Sequence, residues 1–109
     1  MIDKRKSDLT IVKAKLKMKR TEDGGRKTGF LSGFRPNHVF EYRTDGQVLR
    51  TFIGDILFEG KALIEPGEEK VVTVRFLTVE EVEKYITLGR KWWIHEGKNV
   101  IAEAEIVEV

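Results

Sequence analysis

The chain has 109 residues, enough for one domain that buries roughly two thirds of its unfolded surface. It is 40% hydrophobic and 35% charged and has no cysteine, which excludes a disordered chain, a disulfide framework and a thiolate metal site. No apolar run reaches the about 20 residues of a membrane-spanning helix, and the charged start lacks the apolar core of a secretory signal. We therefore expect a cytoplasmic protein without a membrane partner.

The net charge of +2 conceals an uneven distribution along the chain. Residues 1–20 hold eight of the 20 basic side chains and two of the 18 acidic ones. Such polarity is typical of a face for nucleic acid or for an acidic partner, but also of a solvated strand beside an acidic remainder. Both interpretations stay open at this point.

The first element is a strand in which Val12–Lys19 alternates strictly between apolar side chains and lysines. This period of two predicts a half-buried strand with one lysine face. The lysines, about 6.7 Å apart on one face, could follow a phosphate backbone, or they could protect an edge strand from aggregation.

The next segment, Thr21–Asn37, holds four glycines, three basic residues and a proline. Glycine permits tight turns and close backbone approaches, and free backbone N–H groups beside basic side chains suit an anion. Strand-like pieces follow at Phe30–Phe34 and His38–Tyr42, and Thr44–Gly46 predicts a hairpin turn.

The second half of the chain continues in short strands with one exception. Thr78–Glu81 reads as a capping box, and the spacing of Val79, Val82 and Ile86 predicts a helix of two to three turns that stops at Gly89. The predicted strands and turns are Gln47–Ile53, Asp55–Phe58 after Gly54, the turn Glu65–Glu68, Lys70–Leu77, Lys91–Glu96, the turn Glu96–Lys98 and Asn99–Val109. This pattern favours a small antiparallel barrel or sandwich.

Three segments resemble the C-terminal β-barrel, domain III, of the translation elongation factor Tu family. The first comprises Gly24–Thr28 and Gly33–Asn37, which are similar to the family's Gly-Gly-Arg-His-Thr and Gly-Tyr-Arg-Pro-Gln. The second is Leu63–Val74. The third is Trp92–Gly97, which is similar to the family's Phe-Ala-Ile-Arg-Glu-Gly. The resemblance implies an all-β, six-stranded antiparallel β-barrel over residues 9–109, to which the predicted helix adds one short helical insertion. Residues 1–8 are expected to be a disordered basic N-terminus. No phosphate-binding P-loop is present, because Arg26 stands where that motif needs its second glycine.

The resemblance also implies which residues touch RNA. In the family, the loop of Arg26 and Lys27, the residue after Arg-Pro and the last Glu-Gly turn lie against the tRNA backbone. The matching candidates are Arg26, Lys27, Asn37, Glu96 and Gly97. Lys27 replaces a histidine and Asn37 a glutamine. A solvated loop, an Asx-type cap and a plain β-turn are the alternatives for these positions.

A second set of residues suggests a protein interface. Arg35 and Pro36 fix the entry to a strand, with arginine bracing a neighbouring acid, or they face a partner protein as the resemblance implies. Trp92 and Trp93 are adjacent and therefore face opposite ways on a strand. One belongs to the core, while Trp93 is the candidate to contact a base, a partner or the predicted helix.

We expect a non-catalytic binding module for tRNA or other RNA, without DNA specificity. His38 and His95 are the only histidines and no acidic cluster at ligand spacing accompanies them, so we expect no metal, no cofactor and no enzyme. The alternative is a protein-interaction module that docks on a GTPase or translation factor or self-associates.

Overall fold

Antiparallel strands close into a six-stranded barrel in the computed structural model, which describes residues 9–77 and 80–109. The barrel strands are β1 (Leu9–Met18), β3 (Asn37–Val39), β4 (Phe52–Leu57), β6 (Glu69–Leu77), β7 (Lys91–Glu96) and β8 (Asn99–Glu108). They are hydrogen-bonded in the order β1-β6-β4-β3-β7-β8, and β8 returns to β1. The expected all-β fold with six antiparallel strands is confirmed.

The first strand has the predicted alternation. Val12, Ala14, Leu16 and Met18 are buried, and the lysines between them are exposed. However, β1 pairs with β6 on one side and with β8 on the other. The interpretation of its lysines as protection for an edge strand is therefore wrong, because closure of the barrel leaves β1 without a free edge.

An apolar core fills the barrel. Its largest fully buried side chains include Trp92, Phe40 and Phe76. As predicted for one of the two tryptophans, Trp92 belongs to this core. His38 is also fully buried: the Trp92 indole N–H donates to its Nδ1 at 3.0 Å, and its Nε2–H donates to the Gly54 carbonyl at 2.9 Å.

Two predicted strand boundaries differ from the structure. Gly54 lies inside β4 and does not separate two strands, and no regular strand covers residues 47–51. Glycine is required there because a Cβ would stand 2.8 Å from the Arg75 carbonyl and 3.3 Å from His38 Nε2. The segment Phe30–Phe34 is also shorter than predicted: β2 (Phe30–Leu31) pairs only with β5 (Leu63–Ile64), a strand that the pattern did not reveal.

The helical insertion is shorter than the two to three turns predicted. It is one turn, α1 (Glu80–Glu83), followed by bonds from Tyr85 N–H to the Val82 carbonyl and from Ile86 N–H to the Glu83 carbonyl, both at 3.1 Å. Isolated helices this short are not stable by themselves. Instead, buried Val82 and Tyr85 hold the segment on the barrel, with the Tyr85 ring stacked 4.8 Å from Phe40.

Some predictions concern residues outside those described. The disordered N-terminus expected at residues 1–8 and the capping residue Thr78 lie there. Across residues 9–77 and 80–109, no helix has the length and apolar character needed to cross a membrane.

Candidate functional site

The loop between β1 and β2 is fixed to the β7–β8 turn by Arg26. Its guanidinium forms an ion pair with the Glu96 carboxylate and donates to the carbonyls of Thr28 at 3.0 Å and Gly29 at 3.3 Å. It also lies 5.1 Å from the centre of the Phe34 ring. The donors of Arg26 are thus used inside the protein, and its side chain is only 21% exposed.

The local sequence explains the shape of this loop. A 3-10 turn at Thr21–Asp23 ends on Gly24, whose φ of 96° favours glycine. The next residue, Gly25, has no room for a side chain, because a Cβ would lie 2.5 Å from the Lys19 carbonyl. The Thr21 hydroxyl donates to the Arg26 carbonyl at 2.6 Å and closes the loop. The chain thus returns along itself and directs Arg26 towards β7.

The structure brings four of the five RNA candidates together. Asn37 on β3 is paired with His95 on β7, and Glu96 is the next residue along β7. Gly97, with a φ of 60°, lies in the turn between β7 and β8. Arg26 reaches the same turn through Glu96. The fifth candidate, Lys27, is exposed beside Arg26 and makes no hydrogen bond or ion pair with any residue that the structure describes.

The three protein-interface candidates do not form one surface. Arg35 is exposed beside Asp55, which accepts two hydrogen bonds from Arg75 at 3.0 and 2.7 Å. The Arg75 hydrogen bond, helped by the charges of Arg75 and Arg35, lowers the pKa of Asp55. Pro36 is buried. Trp93 faces outward from β7, and β3 lies between β7 and the strands β4 and β6 that carry Asp55 and Arg75.

Trp93 belongs to an aromatic group that the sequence did not reveal. Tyr42 lies 5.6 Å from Trp93 edge to face and 5.7 Å from the His95 ring. The Gly97 carbonyl can only accept, so His95 Nδ1 donates to it at 3.3 Å, and Nε2 accepts from the Tyr42 hydroxyl at 2.6 Å. Burial raises the pKa of Tyr42, which keeps this hydroxyl protonated. We call Tyr42, Trp93 and His95 the aromatic ledge.

A groove lies on each side of this ledge. The first, of about 480 Å³, has Trp93 in its wall together with Lys17, Lys19, Arg20 and Glu103. The second, of about 820 Å³, is lined by Tyr42, His95, Gln47 and Lys98. Val100 lines both grooves, so they share one boundary.

Charges near the ledge are unevenly compensated. Asp23 pairs with Arg20 at 3.0 Å, and Glu103 pairs with Lys91 at 3.4 Å. Lys19, Lys27 and Lys98 form no ion pair within the described part of the chain. We call these three residues the basic rim. Lys19 borders the groove beside Trp93 and Lys98 the groove beside Tyr42, so ammonium groups lie next to two partly exposed rings.

The arrangement suits binding by charge and stacking. In the ranges 9–77 and 80–109, no three His, Asp or Glu side chains form a cluster that could hold a metal ion. No protein-family model matches this chain.

Proposed function

We propose that the protein is a non-catalytic RNA-binding module of the translation apparatus that contacts an RNA backbone with its basic rim. One observation carries the proposal: the Arg26–Glu96 ion pair joins the loop that contains Lys19 and Lys27 to the turn that contains Lys98. Three uncompensated cations therefore sit on one fixed support. Phosphate contacts of this kind set position and orientation but carry little sequence information.

The candidate residues take different roles in this proposal. Arg26 and Glu96 are positioning residues, because their charges already satisfy each other. Lys19, Lys27 and Lys98 meet phosphates, and the exposed Asn37 adds an amide donor. Gly97 lets the RNA approach the turn closely, since it has no side chain. The resemblance to domain III of elongation factor Tu supports tRNA as the RNA and a cytoplasmic location.

A second candidate function rests on a separate observation. Ile53 and Leu77 are 51% and 52% exposed, and both border the small cavity that Arg35 lines with Asp55 and Arg75. Exposed apolar side chains together with arginine are frequent in protein interfaces. This surface would serve a module that docks on a GTPase or translation factor or that self-associates.

Binding of bulk tRNA, measured by fluorescence anisotropy at two salt concentrations, tests the RNA proposal. Three phosphate contacts predict that affinity falls about 20- to 40-fold between about 50 and about 200 mM salt. The variant Lys19→Gln/Lys27→Gln/Lys98→Gln should bind weakly and lose most of this salt dependence.

The matched control removes the same charge elsewhere. Lys15 and Lys61 form ion pairs with Glu69 and Glu68, Lys84 lies 5.2 Å from the centre of the Tyr85 ring, and none of the three lines either groove. The variant Lys15→Gln/Lys61→Gln/Lys84→Gln should keep most of the affinity. Equal losses in both variants, or no binding by the unchanged protein, would overturn the proposal, and the latter result would favour the protein-interaction function.

A further inference from the structure

We propose that Trp93 and Tyr42 of the aromatic ledge stack unpaired RNA bases, so that the preferred ligand is single-stranded RNA and not a duplex. This inference rests on the proposed RNA binding and adds the form of the RNA. It assigns to Trp93, Tyr42 and the two grooves beside them a role that phosphate contacts alone do not provide.

The ledge is fixed before any ligand arrives. Trp93 lies on β7 and is paired with Val39 on one side and Glu103 on the other. Tyr42 packs edge to face against it at 5.6 Å, and the hydroxyl of Tyr42 is held by His95 at 2.6 Å. Because these rings are already ordered, a stacked base costs little additional side-chain entropy. Half-buried Trp93 still has surface to offer.

The charges beside the ledge favour an anionic polymer over a neutral peptide. Lys19 borders the groove next to Trp93, and Lys98 borders the groove next to Tyr42. Aromatic side chains for the bases and cations for the backbone are the usual combination for single strands. A chain of nucleotides that crosses the shared boundary at Val100 would have ammonium groups on both sides of its stacked bases.

A duplex could not use the ledge in this way. Bases in an A-form helix are paired and stacked on each other, so a protein meets mainly phosphates and 2′-hydroxyls. The basic rim serves either form of RNA, whereas Trp93 and Tyr42 serve only unpaired bases. Comparing the binding of single-stranded and duplex RNA therefore separates the contribution of base stacking from that of charge.

The experiment compares a labelled oligoadenylate of about 12 nucleotides, within the usual range of single-strand sites, with an RNA duplex of the same length. Dissociation constants are measured for the unchanged protein, Trp93→Ala, Trp93→Phe and the control Val71→Ala, which removes an exposed apolar side chain from β6, on another face. Loss of one stacked base predicts about ten-fold weaker single-strand binding for Trp93→Ala. Duplex binding and the salt dependence should not change.

The other variants make the result specific. Trp93→Phe keeps an aromatic surface and should retain most of the single-strand affinity, and Val71→Ala should match the unchanged protein. Equal affinity of Trp93→Ala and the unchanged protein for oligoadenylate would overturn stacking while leaving salt-dependent RNA binding intact. No binding of either RNA by the unchanged protein would remove both proposals. Urea unfolding of each variant verifies that the barrel is present.

Discussion

At the scale of single residues, His38 is a neutral histidine enclosed by the core. The Trp92 N–H can only donate, so His38 Nδ1 must accept, and the single ring proton stays on Nε2 facing Gly54. A second proton would point at the indole N–H. Burial is the main cause that lowers the pKa of His38 from 6.5 to about 4.

This shift predicts an acid-sensitive barrel. The unfolded chain takes up a proton on His38 below about pH 6.5, whereas the folded chain does so only near pH 4. The stabilising contribution is therefore complete above about pH 6.5 and is lost as the pH falls towards 4. This difference in the pKa of His38 between the unfolded and the folded chain corresponds to about 3 kcal/mol of unfolding free energy. Urea unfolding at a series of pH values measures it.

Two further measurements isolate His38 from the other titrating groups. His38→Gln should unfold with a flatter dependence between pH 6.5 and 5, because Gln carries no titrating proton. The NMR signals of the His38 ring in the unchanged protein should show no titration near pH 6.5. A ring that titrates at 6.5 would contradict the closed hydrogen-bond arrangement around it.

The sequence predicted residues that obey a local period and missed those that meet across the fold. Alternation alone indicated that Leu16 and Met18 are buried, and the adjacency of two tryptophans indicated that they face opposite ways. The ledge joins Tyr42 to His95 across 53 residues, and the loop clamp joins Arg26 to Glu96 across 70. No periodicity encodes such pairs, because the register of non-adjacent strands decides them.

At the scale of elements, short segments were predicted less well than long strands. A capping box and apolar spacing favoured a helix of two to three turns after β6, whereas α1 is one turn and the segment is held to the core by buried Val82 and Tyr85. In the same way, Gly54 suggested a break, whereas the close approach of β6 requires a glycine inside β4. In both cases tertiary packing outweighs local propensity.

The loop that carries Lys27 should become more open when its clamp is removed. Glu96→Gln leaves the Arg26 guanidinium without its anionic partner. Because the Glu96 side chain is 42% exposed, the ion pair contributes only modestly to the stability of the loop. We expect trypsin to cleave after Arg26 and Lys27 about two to five times faster in the variant. Mass spectrometry of the fragments during limited proteolysis gives the rates.

Glu59→Gln is the matched control for this measurement. It removes the same charge from an exposed glutamate that forms no ion pair within residues 9–77 and 80–109. Cleavage of that variant should proceed as in the unchanged protein. Equal rates in Glu96→Gln and the unchanged protein would mean that the ion pair does not hold the loop.

At the scale of the whole molecule, barrel closure explains the uneven charge of the sequence. The lysines of β1 are paired in register with glutamates of β8, the last strand: Lys13 with Glu108, Lys15 with Glu105 and Lys17 with Glu103. Lys15 also bridges to Glu69 at 3.3 Å. The basic first strand therefore lies beside the acidic last strand, so the closed barrel brings together charges that are far apart in the sequence.

Closure has a further consequence that hydrogen exchange can measure. Successive amides of an antiparallel strand point to alternate neighbours. At the end of β1, the Met18 N–H donates to the Glu68 carbonyl at 2.8 Å, and the following Lys19 N–H donates to the Ile101 carbonyl on the other side at 2.9 Å. All amides from Ala14 to Lys19 should thus exchange slowly. If β1 were an edge strand, every second amide would exchange fast.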